Sequence, residues 1–492
     1  MKYLFFLFHF IFINTCIFSQ NTTWSLLINT SDDRSIADIT TDEMGCVYFT
    51  GLNRQADSYH FKGIVFKLST EGIPTDSLFL DNHDSSVIVN SILPDTMENF
   101  ILGIETFGTT SEQQKCGFNL KRIDSDLNII SSSKNYLFPE EYKHININLQ
   151  YNNYNNIMAF GYIFPNQIPR MFMYQINKSF DSIRAKIYLD EGAILPFFIK
   201  QLPDNNYWIV RDIHPNYALI DSALNLINIE EGRIPHGMNG SYGMKWDSDT
   251  SFFLAADYFD GSRNDFTGHD VGFFHQYHPF DTTGYSNFNF TGAVDTNDQP
   301  AFYGALDYKC KDSIFIGYNK NIDIYNVHYS SRPSWYALLQ TDSLLNIRWE
   351  HFYGGDAYYN LSKIIATSDG GCIMAGTRFD YITHPWVHER DIYILKVNAE
   401  GLITSANEQP ASIVHDAIVY PNPGSNVLRV RVAVQHPESI FRLYNMSGKL
   451  VLQSPMHGKT AAFNTTFLPP ATYVYTITAK TGLNEKGKWV KE

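Results

Sequence analysis

Residues Ile364–Thr377 read IIATSDGGCIMAGT, and after a polar excursion Asp391–Gly401 read DIYILKVNAEG. A short apolar run is cut by a polar turn at Asp369, Gly370 and Gly371. A second apolar run closes at Gly376, and a longer third one ends in another turn. Short runs rich in Ile, Val and Tyr between Asp, Asn and Gly are strands joined by tight turns.

The unit recurs along the chain. The first copy is IADITTDEMGCVYFTG to Gly51, then GIVFKLSTEG to Gly72. The second is MENFILG to Gly103, then FNLKRIDSDLN to Asn128. The third, NNIMAFG to Gly161 and MFMYQINKSF to Phe180, is weaker. The fourth, PDNNYWIVR and YALIDSALN, has Arg211 in the glycine position. The fifth runs DSDTSFFLAA to Ala256 and GFFHQYHPFDTTG to Gly284; the sixth runs KDSIFIG to Gly317 and WYALLQTDSLLN to Asn346. Aligning Gly51, Gly103, Gly161, Arg211, Ala256, Gly317 and Gly376 gives spacings of 52, 58, 50, 45, 61 and 59 residues. A period near 50 with strand content is that of a propeller blade. Strands that are apolar on both faces need cover on both, which stacked blades supply. The expected fold is all-β: a β-propeller of about seven blades, followed by a small immunoglobulin-like β-sandwich. Trp24 to Ile28, an apolar strand ahead of the first copy, is expected to complete the last blade and remove its free edge.

Composition sets limits on function. The 492 residues include 36 Phe, 31 Tyr and 7 Trp and are 44% hydrophobic, enough for a large core. Lys plus Arg is 37 against 51 Asp plus Glu, with no basic run, so no nucleic-acid partner is expected. The N-terminus MKYLFFLFHFIFINTCIFSQ, with Lys2, an apolar run from Tyr3 to Ile13 and the small Ser19, reads as a cleaved signal peptide. No transmembrane segment is expected in the mature chain. Cys46 and Cys372 follow glycines at matching places in the first and seventh copies and read as small buried hydrophobes; Cys116 and Cys310 are the remaining mature cysteines.

The expected domains are a signal peptide at 1–19, the propeller at 20–406, a linker at 407–417 and a C-terminal module at 418–492. The last begins VYPNPGSNVLRVRV and continues in alternating strands, with a hairpin at Met446 to Lys449.

These residues carry two resemblances. TSDGGCIMAGT followed by DIYILKVNAEG, with Trp349, Gly354, Gly355 and Asp356 upstream, resembles the propeller repeats of exported Bacteroidetes proteins. Pro421, Asn422, Pro423, Asn445, Gly448, Lys449, Tyr473 and Lys488 match the motif of the type IX secretion system's C-terminal sorting domain, which the module resembles. The departure is Ala471 before Thr472 and Tyr473, where that family usually has glycine. The resemblance implies Sec-dependent passage through the periplasm, handling by the type IX machinery, and a final location in the medium or on the outer cell surface.

Candidate chemistry is sparse. His269, Asp270, His275 and His278 cluster, but on a strand residues three apart face opposite ways, so shared zinc ligation needs a bend. His384 and His388 with Glu389 do not form H-E-x-x-H, and Pro385 opposes a helix. Asp257, Asp260, Asp265 and Asp270 around Gly261 lack the alternate-residue spacing of a calcium loop. Asp76-Ser77-Leu78, Asp221-Ser222-Ala223, Asp312-Ser313-Ile314 and Asp342-Ser343-Leu344 read equally as turns and as O-glycosylation sites of the kind that exported Bacteroidetes proteins carry. No catalytic residue, metal or cofactor is assigned. The expected function is a non-enzymatic binding or scaffold protein presenting loops to an extracellular glycan or protein. The alternative is a polysaccharide hydrolase or lyase on the same scaffold. Differences between the copies, such as Asp257 to Asp270 and Phe379 to Arg390, are where function is expected.

Overall fold

The computed structural model describes residues 22–55, 58–96, 98–108, 116–139, 142–165, 168–189, 196–211, 216–231, 235, 237–259, 269–277, 285–292, 296–383, 388–403, 417–420, 423–432, 438–458, 460–479 and 484–492. The expected signal peptide lies outside them, as does nearly all of the expected linker. Every regular element among the described residues is a β-strand. Contacts divide the chain into two units, Met1–Glu408 and Gln409–Glu492.

The first unit holds seven antiparallel sheets among its described residues, each of four or five strands. In the first, Asp32–Thr41, Val47–Gln55, Phe61–Leu68 and Pro74–Leu80 lie side by side in chain order. The following sheets begin with Ser85–Thr96, Tyr142–Tyr151, Pro196–Gln201 and Met238–Trp246. The sixth is built on Ser313–Lys320, and the seventh begins with Tyr358–Ala366. Each of the seven sequence copies is the centre of one sheet.

The seventh sheet takes its fourth strand from the start of the chain. Trp24–Ile28 pairs antiparallel with Asp391–Val397, Trp24 opposite Lys396 and Ile28 opposite Ile392. The edge strand expected from sequence is therefore in place.

The cores lie between sheets. Phe49, Ile64 and Ile36 of the first sheet pack with Ile373, Ala375 and Ile394 of the seventh and with Trp24. Tyr48 and Val65, on the other face of the first sheet, pack with Val89, Phe100 and Leu102 of the second. Similar clusters join the second to the third, the third to the fourth, the fourth to the fifth, and the fifth through the sixth to the seventh. Each sheet thus covers the next, and the last covers the first, in the organisation of a β-propeller. The first strand of each sheet packs against neighbouring sheets; Asp32–Thr41 touches both Ser85–Thr96 and Tyr358–Ala366.

The repeated glycine does not end its strand, as the sequence suggests. Gly376 lies inside Cys372–Phe379, opposite a β-bulge between Leu361 and Lys363. Gly51 faces the same irregularity between Ile36 and Asp38. The bulged carbonyl comes so close that a Cβ on Gly376 would lie 2.1 Å from the Asn360 oxygen, and one on Gly51 1.9 Å from that of Ser35.

The polar turns are local chemistry. Asn398 Oδ1 accepts from the amides of Glu400 (3.1 Å) and Leu402 (2.8 Å), and Gly401 sits at φ 74°. Asp124, Asp221 and Asp342 do the same in other sheets, with Leu127, Leu224 and Leu345 as buried left-handed residues. Two of the four Asp-Ser triplets, at Asp221 and Asp342, are therefore turn-forming.

The second unit packs a three-stranded sheet (Ala417–Tyr420, Val427–Val432, Thr460–Asn464) against a four-stranded one (Leu450–Met456, Ser439–Asn445, Ala471–Thr478, Asn484–Lys491). Their shared core includes Leu428, Val430, Phe463, Phe441, Leu443, Tyr475 and Trp489. Phe441 and Phe463 stack with centroids 4.6 Å apart.

Candidate functional site

Hairpin geometry sorts the connections of the ring. Short turns joining first to second and third to fourth strands, such as Asp42 to Cys46 and Asp342 to Asn346, fall at one end. Second strands end and third strands begin at the other, and the number of residues between them varies: five between Val47–Gln55 and Phe61–Leu68, and fourteen, 321–334, between Ser313–Lys320 and Trp335–Thr341. At this end a cavity of about 350 Å3 opens. The first three sheets supply Phe61, Asn90, Glu105, Phe107, Asn146, Tyr162 and Phe164, and Tyr303 comes from the segment leading into the sixth. The wall is largely aromatic and aliphatic, with few polar groups, the composition of a small-ligand pocket.

Glu105 is the carboxyl of that wall, and it is 3% exposed. Asn90 Nδ2 donates to its Oε2 at 2.9 Å, and the Ile145 amide donates to its Oε1 at 3.1 Å. Burial pushes the carboxyl up to about 7, against the lowering effect of both donors. Burial and the nearby Glu105 charge together push the Cys116 thiol up to about 12. Tyr303, half exposed, stands in the same wall.

Beside the pocket, Asp33 gathers the ring closure. Arg390 Nε and Nη2 reach its two oxygens at 2.8 and 3.0 Å, and the Arg390 amide donates to Oδ1 at 3.1 Å. Arg54 Nη2 (3.1 Å) and the Tyr329 hydroxyl (2.9 Å) complete the cluster. The first sheet and the second-to-third loops of the sixth and seventh are thus tied at one carboxylate. His328, pushed down to about 4 by burial and the Arg390 charge, is neutral at physiological pH. Deeper in, Asp38 of the first sheet pairs with Lys363 of the seventh at 2.5 Å and accepts the Ile92 amide at 2.9 Å.

The residues singled out in the sequence are scattered. His269 Nδ1 lies 2.8 Å from Asp257 Oδ2, at the loop end. His275, six residues along the same strand, bonds Ser286 at 2.7 Å near the turn end, about 20 Å away at strand rise. Asp270 is fully buried. His388 lies with its ring 4.6 Å from that of Tyr329. Asp260, Gly261, Asp265, His278, His384 and Pro385 are outside the described residues. Cys372 and Cys116 are buried, Cys46 half-buried and Cys310 exposed, all as free thiols. Sequence reasoning missed Glu105, whose signal is one acid inside the apolar run NFILGIETF.

In the second unit, Asn445 Oδ1 accepts from the amides of Ser447 and Lys449, and Gly448 takes φ 79°. Tyr473, 2% exposed, donates its hydroxyl to the Pro469 carbonyl at 2.7 Å and packs on Trp489. Ala471 opens its strand without a positive φ, so the missing glycine has no conformational cost there. Pro423 and Lys488 are exposed, while Pro421 and Asn422 are outside the described residues. The buried lysine of the last strand is Lys491, which donates to the Thr465 carbonyl at 2.6 Å.

Residues 418–492 match the family described as the secretion system C-terminal sorting domain. The chain carries a type IX sorting domain. That domain directs a chain to the cell surface or the medium. No curated protein matches the chain. Among solved structures, it is similar to PorZ of Porphyromonas gingivalis, described as an essential surface component of the type IX secretion system. Identity is 12% and TM-score 0.37, over 94% of this chain and 60% of that one. It is similar to YCF48 bound to D1 peptide (12%, 0.43, 79% and 98%). It is also similar to an inactive variant of virginiamycin B lyase from Staphylococcus aureus with quinupristin (13%, 0.41, 76% and 100%). Among the described residues no helix is long and apolar enough to cross a membrane.

Proposed function

We propose that this is a non-enzymatic binding protein, exported by the type IX secretion system, whose seven-bladed propeller takes an extracellular glycan or protein ligand at the loop end of its channel. Residues 1–19 serve as signal peptide, 20–406 as propeller, 407–417 as linker and 418–492 as an immunoglobulin-like sorting module. In that module Pro421, Asn422, Pro423, Asn445, Gly448, Lys449, Tyr473 and Lys488 form the motif presented to the export machinery.

The observation that carries the reading is the pocket wall. Aromatic rings from several sheets surround one carboxyl, Glu105, which two donors of the scaffold already hold. A glycosidase needs two carboxyls across the scissile bond, and among the described residues the lining supplies one. Aromatic faces with a few amides suit recognition without turnover. The test is the exported full-length protein on a polysaccharide array, read both for retention and for released sugar. Retention without product is expected. Released product would replace this reading with the hydrolase or lyase.

A further inference from the structure

We propose that the pocket around Glu105 binds an alkylammonium group, held by the carboxylate and by the faces of the surrounding rings. The inference rests on the reading that this pocket is the ligand site, and it names the chemistry of the ligand.

Charge pairing carries the argument. A buried carboxylate is normally matched by a cation of the protein, because an unmatched one bears its full desolvation cost. Asp33 and Asp38, near the channel, follow that rule: Asp33 has Arg54 and Arg390, and Asp38 has Lys363. Glu105, like the buried Asp391, has no such cation paired with it among the described residues. Among the described residues it has two neutral donors, Asn90 and the Ile145 amide, and no ion pair. These donors fix the carboxyl without neutralising it, and a cationic ligand would supply the matching charge.

The rest of the wall suits such a cation. Phe61 and Phe107 lie 5.8 Å apart, and Tyr162 meets Phe164 edge-on at 5.4 Å. Tyr303 stands half exposed in the pocket, within the field of Glu105. Phe61 already has Arg54 over its ring at 5.8 Å, an example of the same contact, in which the guanidinium is balanced by Asp33. Aromatic faces and one carboxylate in a water-poor cavity are how ammonium groups are recognised. A phosphate or carboxylate ligand is disfavoured, since among the described residues no cationic side chain lines the cavity.

Occupancy is linked to protons. Among the described residues the ionisable groups around Glu105 are Cys116, Tyr162 and Tyr303. Burial holds the Cys116 thiol up at about 12, and of these groups Glu105 is the one that titrates near neutrality. Ammonium binding displaces its proton and weakens as pH falls through about 7.

The test uses full-length protein and calorimetry with choline, its uncharged isostere 3,3-dimethylbutan-1-ol, and the peptide acetyl-Gly-Lys-Gly-amide. At pH 8 choline or the peptide is expected to bind at least about 10-fold more tightly than the isostere. The stronger of the two distinguishes a free amine from a protein's lysine. Glu105→Gln should remove that preference, and lowering the pH to 5.5 should do so in the wild type. Tyr303→Leu, at a half-exposed position, should weaken ammonium binding about 3-fold with no change in melting temperature. Equal affinity for the isostere, or full ammonium affinity in a folded Glu105→Gln variant, overturns the inference. So does polysaccharide retention with no response to any ammonium probe, an outcome that leaves the binding reading intact. Loss of all binding overturns both.

Discussion

Removing residues 24–30 takes the outer strand from the seventh sheet, and the size of the effect follows from what that strand does. Five residues pair in register with Asp391–Val397. Trp24 is 7% exposed, lies flat against Gly72 and donates its indole N–H to the Thr70 carbonyl at 3.0 Å. Leu26 and Ile28 pack on the same core as Phe49 and Ile394. Burial of the three side chains at about 2 kcal/mol each, with ladder bonds at about 1 kcal/mol each, amounts to roughly 10 kcal/mol. That equals the whole stability of many domains. The deletion also exposes the edge of Asp391–Val397 and invites association. Thermal unfolding followed by circular dichroism should show the main transition lost or lowered by more than about 10 °C, with light scattering rising beforehand. A transition within 2 °C of wild type would refute the account of ring closure.

Four further outcomes are expected. Gly376→Ala should destabilise by more than about 3 kcal/mol in chemical denaturation, because its Cβ meets the Asn360 carbonyl. Gly448→Ala, with open space around it and only a left-handed φ to oppose it, should cost about 1 kcal/mol. Asp33→Ala, which leaves Arg54 and Arg390 without their carboxylate, should cost about 3–5 kcal/mol, read from the same curves. Glu105 has a folded-state value raised to about 7 from 4.5, so the unfolded chain releases its proton first and stability falls as pH rises from about 4.5 to 7. Glu105→Gln should therefore gain on the order of 3 kcal/mol over wild type at pH 8 and little at pH 4; equal denaturation midpoints at both pH values would contradict the burial of that carboxyl.

The ring was legible where burial is complete. Second and third strands such as Cys372–Phe379 and Asp391–Val397 are almost wholly buried, so their apolar runs stand out. The outer strands are not: Pro74–Leu80 is exposed along most of its length and leaves no hydrophobic period to read. The recurring glycine was visible, but its meaning was not, because the bulge that needs it lies on a different strand. In the sorting module, strand alternation puts Trp489 and Lys491 inward and Lys488 outward, which a motif centred on Lys488 does not reveal. The pocket was the least legible part. Its wall is assembled from residues as distant in sequence as Phe61, Phe164 and Tyr303, brought together only when the sheets close into a ring. Asp257, His269, Asp270 and His275, which drew attention, lie on a different sheet, and His269 and His275 are separated along one strand.

The central claim, that ligand enters the loop end of the channel, is tested most directly by amide hydrogen exchange on full-length protein with its tightest array ligand. The account predicts slowed exchange in Ser85–Thr96, Asn99–Gly108 and Tyr142–Tyr151, the strands that carry Asn90, Glu105 and Asn146. Protection confined to outer strands such as Pro74–Leu80 and Ser182–Ile187, with those three unchanged, would contradict it.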